Sequence, residues 1–190
     1  MKKNYRFLLI LISFNIIFYN TKSEVKLPDV FGDNMVLQQE TEVWIWGTAK
    51  PAAIVEISVS WSKQKFAGRS DQSGKWKIQI STPAAGGPFE IKITDGDKPL
   101  IINNILTGEV WLCSGQSNME MPMKGYIGQP ITGSNDAILR SFNKNIRFIT
   151  VPRAASTEPQ DDFRADWLTA EPSTVSEFSA TAWYFAKLLN

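Results

Sequence analysis

Between Val25 and about Leu106, apolar and polar residues alternate with period two. In Ile54–Trp61 the apolar positions are Val55, Ile57, Val59 and Trp61, against Glu56, Ser58 and Ser60. In Lys75–Ile80 they are Trp76, Ile78 and Ile80, and in Phe89–Thr94 they are Phe89, Ile91 and Ile93. Such alternation predicts strands with one buried and one wet face. Val43–Trp46 predicts a further strand with bulky residues on both faces. Asp71-Gln72-Ser73-Gly74 and Asp95-Gly96-Asp97-Lys98 supply tight-turn chemistry, and Gly86-Gly87-Pro88 reads as a longer connection. Short strands with regular turn signals predict an antiparallel β-sandwich over residues 24–106.

The pattern changes at Gly108. Glu109–Cys113 is a short apolar run, read as a buried strand of a parallel sheet. Ser114–Met119 follows as a sharp turn of small residues. Lys124–Asn135 reads as a surface loop, Ile146–Val151 as another strand and Pro159–Asp166 as an acidic loop. Thr174-Val175-Ser176-Glu177 matches a capping box, with Thr174 as N-cap. The helix it opens has Val175, Phe178, Ala182, Phe185, Ala186 and Leu189 on one face. A strand, a connection and an amphipathic helix make the opening of an α/β unit. Residues 107–190 are therefore expected to be the incomplete start of a larger α/β domain.

Composition narrows the function. The chain has 190 residues and a formal net charge of +1. Residues 1–23 hold Lys2, Lys3, Arg6 and Lys22 and no acid, which leaves sixteen cations against nineteen carboxylates elsewhere. No basic stripe is present to hold a phosphate backbone, so nucleic acid is not an expected partner. The basic start, the apolar run Phe7–Tyr19 and the small residues Thr21 and Ser23 describe a secretory signal peptide over 1–23, and hence a secreted or periplasmic protein. The apolar run is short for a bilayer span, so no permanent membrane anchor is expected. One cysteine and no histidine are present. An internal disulfide is excluded, and no metal or other cofactor is implied.

The candidate chemistry is concentrated at Ser114–Met119. A serine on the turn after a buried strand lies at the carboxyl edge of a sheet, where open α/β folds bind ligands. Ser117 projects from that turn as a candidate nucleophile, and Gly115 allows a tight backbone approach. Backbone N–H groups of Ser117 and Asn118 can face a developing oxyanion, with the amides of Gln116 and Asn118 orienting the site. Strand–turn–Ser also occurs in proteins with no nucleophile. Glu120, Asp161, Asp162 and Asp166 are conceivable proton acceptors, with solvated loop carboxylates the plainer reading of the last three. Cys113 reads as a small apolar filler in the strand. Trp61 and Trp76 fall on apolar faces and read as core. Trp44 and Trp46 stay open between core residues and a glycan platform.

The run GEVWLCSGQSNMEMPM (Gly108–Met123) resembles the nucleophile block of the sialate O-acetylesterase family, of the SGNH/GDSL type. LPDVFGDNMVLQQ (Leu27–Gln39), VWIWGTA (Val43–Ala49), DQSGKWKI (Asp71–Ile78) and AGGPFEIKI (Ala85–Ile93) are similar to the family's N-terminal β-domain. IRFITVP (Ile146–Pro152) and FSATAWYFAKLL (Phe178–Leu189) are similar to stretches beyond its nucleophile. The resemblance implies that Ser117 attacks an acetyl ester of sialic acid or a related glycan, through an acyl-enzyme. It also implies a histidine base in an Asp-x-x-His block near the family's C-terminus, which these 190 residues do not contain. The expectation is an N-terminal portion of an esterase, inactive by itself. The competing readings are a non-catalytic carbohydrate-binding β-sandwich and a structural spacer. The oligomeric state is not legible in the sequence.

Overall fold

The computed structural model describes residues 25–190, so the signal peptide expected over 1–23 lies outside the described residues. Seven strands fill the first half: β1 (Val36–Gln38), β2 (Glu42–Thr48), β3 (Ile54–Val59), β4 (Lys65–Arg69), β5 (Lys75–Ser81), β6 (Gly86–Thr94) and β7 (Leu100–Gly108). They form a five-stranded sheet in the order β1-β7-β6-β3-β4 and a two-stranded sheet of β2 and β5. The alternation in the sequence is reproduced within the strands, although β3 ends at Val59 and leaves Trp61 half-buried in the turn beyond it. Val55, Ile57 and Val59 of β3, Trp76, Ile78 and Ile80 of β5, and Ile91 and Ile93 of β6 are buried in one apolar cluster. Ile45, Ile102 and Ile105 join it, so both sheets turn their apolar faces to the same core. Each fully buried aliphatic side chain contributes ~1.5–3 kcal/mol.

Two expectations for this half need correction. The larger sheet is mixed, because β1 runs parallel to β7 in the register Val36↔Leu106 to Gln38↔Gly108. The long connection between these strands carries β2 to β6, which allows the parallel return. Gly86-Gly87-Pro88 is not a connection either. It opens β6, where the pairing with β7 shifts register between Gly86 and Phe89. β2 runs past the expected Val43–Trp46 to Thr48 and so includes Gly47, where no side chain fits. A Cβ there would lie 2.2 Å from the carbonyl oxygen of Lys26, the residue that bridges to Thr48.

The second half holds α1 (Ser117–Glu120), α2 (Ser134–Leu139), β8 (Asn143–Phe148), β9 (Leu168–Ala170), α3 (Pro172–Val175) and α4 (Ala180–Leu189). β8 and β9 pair antiparallel, and no parallel pair forms among the described residues of this half. A second core gathers Met123, Ile146, Phe148, Val175 and Trp183, with Phe148 stacked on Phe178 at 3.9 Å. The expected single helix from Thr174 is two helices. Thr174 is the third residue of α3 rather than its N-cap, and its Oγ1 accepts from the Glu171 N–H at 3.1 Å. The chain breaks at Ser176–Ser179 because that segment pairs with Pro122–Lys124: the Met123 N–H donates to the Phe178 carbonyl and the Lys124 N–H to that of Ser176. α4 then restarts, with the Ser179 hydroxyl capping the Ala182 N–H. Its buried stripe is Ala180, Ala182 and Trp183, while Phe185, Leu188 and Leu189 are exposed.

Residues 156–167 run back over the first half. Asp162 Oδ1 accepts from the Asp29 N–H, Asp29 Oδ2 accepts from the Ala165 N–H, and Lys75 pairs with Asp161. Trp167 packs against the first core and donates from Nε1 to the Val30 carbonyl at 2.9 Å. No helix among the described residues is long and apolar enough to cross a membrane.

Candidate active site

The route into the serine turn starts at the end of β1. Gln39 and Gln38 donate to the two carboxylate oxygens of Glu109 at 2.7 and 3.2 Å, and the Val110 N–H donates to Gln38 Oε1 at 2.9 Å. The Gln39 amide first, and Gln38 second, hold the Glu109 carboxyl below its ordinary range. From there the chain departs from the expected buried strand. Glu109–Gln116 has no regular secondary structure, and Leu112 is 92% exposed. Trp111 and the Phe185 ring of α4 meet edge to face at 5.3 Å. Cys113 is exposed, not a filler. A strand needs a neighbour to pair its N–H and C=O groups, and none runs beside this segment among the described residues.

Ser117 is the first residue of α1 and is exposed. The Met119 and Glu120 N–H groups both close on the Gln116 carbonyl, at 2.9 and 3.2 Å. The Ser117 hydroxyl and the N–H groups of Ser117 and Asn118 have no hydrogen-bond partner among the described residues, as expected at the first turn of a helix. The side-chain amides of Gln116 and Asn118 are exposed as well. Gly115 permits the turn to close: a Cβ there would meet the Cβ of Met119 at 3.1 Å.

The turn is held from behind by α4. Thr181 Oγ1 donates to the Asn118 carbonyl at 3.0 Å, the Ala180 N–H donates to the Met121 carbonyl at 2.8 Å, and Ser179 Oγ reaches Met119 Sδ at 3.4 Å. Tyr126 donates from its hydroxyl to the Glu120 carbonyl at 3.2 Å, and the Glu120 carboxylate pairs with the Arg153 guanidinium. None of Tyr126, Arg153, Ser179 or Thr181 is signalled by the sequence: Arg153, Ser179 and Thr181 reach the turn from distant segments, and Tyr126 folds back on it from six residues beyond Glu120.

These contacts separate the candidate residues. Gly115, Gln116, Ser117 and Asn118 come together with their donors facing outward. Glu120 is engaged by Arg153. Asp161 and Asp162 are drawn to Lys75 and Asp29 of the first half, and Asp166 is an exposed loop residue. Trp44 and Trp46 stand on another element, β2, at 45% and 37% exposure. The turn therefore offers a hydroxyl beside unpartnered N–H groups, the combination that acyl transfer requires. The Glu120 carboxylate at the turn is taken by Arg153, and no other proton acceptor is gathered there among the described residues.

No family profile matches the chain. Curated relatives do. It is 28% identical over 172 residues to the sialate O-acetylesterase of Mus musculus, covering 82% of this chain and 31% of that protein. It is 29% identical over 181 residues to that of Homo sapiens, covering 86% and 34%. The chain thus spans about a third of the length of the curated relatives it matches. Among solved structures, a carbohydrate acetylesterase from Xanthomonas citri superposes with a TM-score of 0.80 at 30% identity, covering 87% of this chain and 37% of the other.

Proposed function

From the premise that the chain is a relative of the sialate O-acetylesterases, we propose that it is the nucleophile-bearing part of a carbohydrate O-acetylesterase. Ser117 is the nucleophile, and the substrate is an acetylated sialic acid or related glycan. The two sheets of the first half act as a β-sandwich, and residues 107–190 as the SGNH-type portion. The signal-peptide-like start supports a secreted protein. The observation that carries the reading is the free Ser117 hydroxyl at the N-terminus of α1, beside the N–H groups of Ser117 and Asn118.

The reaction runs in two steps. The Ser117 oxygen adds to the acetyl carbonyl carbon as its proton leaves to a base. The carbonyl oxygen becomes an oxyanion that the N–H groups stabilise, and the sugar oxygen departs as an alcohol after taking a proton. Water then adds to the acetyl-serine, releasing acetate and restoring the hydroxyl. A hydroxyl without a base is a poor nucleophile at neutral pH, and these 190 residues include no histidine. The chain by itself is therefore expected to turn over esters slowly. Losing a triad member costs on the order of 10⁴–10⁶ in kcat.

External base tests the assignment. The chain is incubated with p-nitrophenyl acetate and imidazole, and acetylated peptides are mapped by mass spectrometry. An acetyl adduct concentrated on the Ser117 peptide, dependent on imidazole and absent in Ser117→Ala, supports the proposal. Adducts spread evenly over surface serines, or unchanged in Ser117→Ala, overturn it.

A further inference from the structure

The outer face of the β2–β5 sheet carries a second set of side chains suited to a ligand. Along this face Glu42 lies opposite Ser81, Trp44 opposite Gln79, and Trp46 opposite Lys77. Their neighbours Ile45, Trp76, Ile78 and Ile80 point the other way and are buried. Period two thus places Trp44 and Trp46 on the same wet face, about 7 Å apart. Two exposed indoles on one short ribbon are unusual, because tryptophan carries large apolar area that folding normally covers.

The surroundings say what chemistry would cover them. The Phe31 ring meets Trp46 edge to face at 4.5 Å, which fixes that indole. Lys77 Nζ lies 4.5 Å from the centroid of the Trp44 ring, held there by the ring quadrupole. Lys77 has no carboxylate partner among the described residues. Lys75, the next cation on the same face, is already paired with Asp161 at 3.1 Å. At the other end Glu42, Gln79 and Ser81 line a shallow surface cleft. The face therefore carries two indoles with the Lys77 ammonium over one of them at its centre, and acceptors and an amide at one end.

A pyranose ring has apolar C–H faces and a rim of hydroxyls, and a carboxylate on it adds one anionic edge. The C–H face stacks on the indole, the carboxylate meets Lys77, and the hydroxyls donate to Glu42 and accept from Gln79. A neutral apolar partner would leave Lys77 and Glu42 desolvated without compensation. We propose that the outer face of β2–β5, with Trp44 and Lys77 at its centre, is a non-catalytic binding platform for an acidic sugar. It involves no acyl transfer and does not rest on Ser117 being a nucleophile.

The test is calorimetric titration of the full 190-residue chain with the methyl α-glycoside of N-acetylneuraminic acid, and with its carboxamide, which differs by the lost charge. Saturable binding of the acid, weakened about tenfold or more by Trp44→Ala and similarly by Lys77→Gln or by the carboxamide, is the expected result. Both substituted side chains are exposed or lie over an exposed ring, and far-UV circular dichroism checks that each variant is folded. Absence of saturable binding, equal affinity for acid and carboxamide, or unchanged affinity in folded Trp44→Ala each overturns the platform. Since no hydrolysis is read, a failed acetyl-transfer experiment leaves this result standing, and the reverse holds too.

Discussion

Replacing Trp167 with alanine removes a side chain that belongs to the second half by sequence and to the first by packing. The indole is half-buried against the core of the two sheets, and its Nε1–H donates to the Val30 carbonyl at 2.9 Å. Truncating a fully buried Phe or Trp to alanine costs about 3–5 kcal/mol. Partial exposure of Trp167 reduces this to roughly half, about 2 kcal/mol. The lost hydrogen bond adds about 0.5–1.5 kcal/mol. Trp167→Ala should therefore cost about 2–4 kcal/mol, whereas Trp167→Phe keeps most of the apolar contact and should cost about 1 kcal/mol. Urea unfolding followed by far-UV circular dichroism gives both values. Hydrogen exchange gives the location: protection should fall at Asp29–Phe31 as well as around the substituted residue. An alanine variant within about 0.5 kcal/mol of the parent would refute the reasoning, since surface substitutions behave that way. A phenylalanine variant as costly as the alanine one would refute the division between burial and hydrogen bonding.

The remaining predictions concern charge and thiol access. Asp71 accepts from Ser73 Oγ at 2.7 Å, from the Lys75 N–H at 2.9 Å and from the Ser73 N–H at 2.8 Å, and these bonds hold its carboxyl below the ordinary aspartate range. Glu109 is lowered in the same way by Gln39 and Gln38. A carboxyl lowered on folding contributes stability that is complete above its unfolded pKa and is lost as pH falls through the folded value. The urea midpoint should drop on acidification below about pH 4, and drop less in an Asp71→Asn, Glu109→Gln double variant. Parallel declines would count against these assignments. Cys113 is exposed, so the folded chain should react with Ellman's reagent without prior unfolding; reaction only after unfolding would restore the buried-strand reading.

Much of the first half was legible in the sequence. Alternation in Ile54–Val59 and Lys75–Ser81 assigns each side chain to a face because successive Cβ atoms of a strand point opposite ways, a property of the covalent chain. Asp71-Gln72-Ser73-Gly74 announced its turn for an equally local reason: Asp71 binds the backbone two and four residues on. The similarity to the acetylesterases was legible as well, and it extends over 172 to 181 residues rather than one motif.

What the tertiary structure decided involves partners far apart in the chain. The parallel pairing of β1 with β7 joins residues some seventy positions apart, and no local pattern records it. Thr174 looks like an N-cap until Ser176 and Phe178 are taken by Lys124 and Met123, which splits the helix and frees Ser179 to cap the second piece. Glu109–Cys113 has the composition of a buried strand and is exposed, because burial depends on a neighbour and not on hydropathy alone. Trp44 and Trp76 are the same residue type on paired strands, yet one faces water and the other the core. Alternation alone put Trp76 on the apolar side of its strand, whereas the way Trp44 faces was decided only by register and sheet packing.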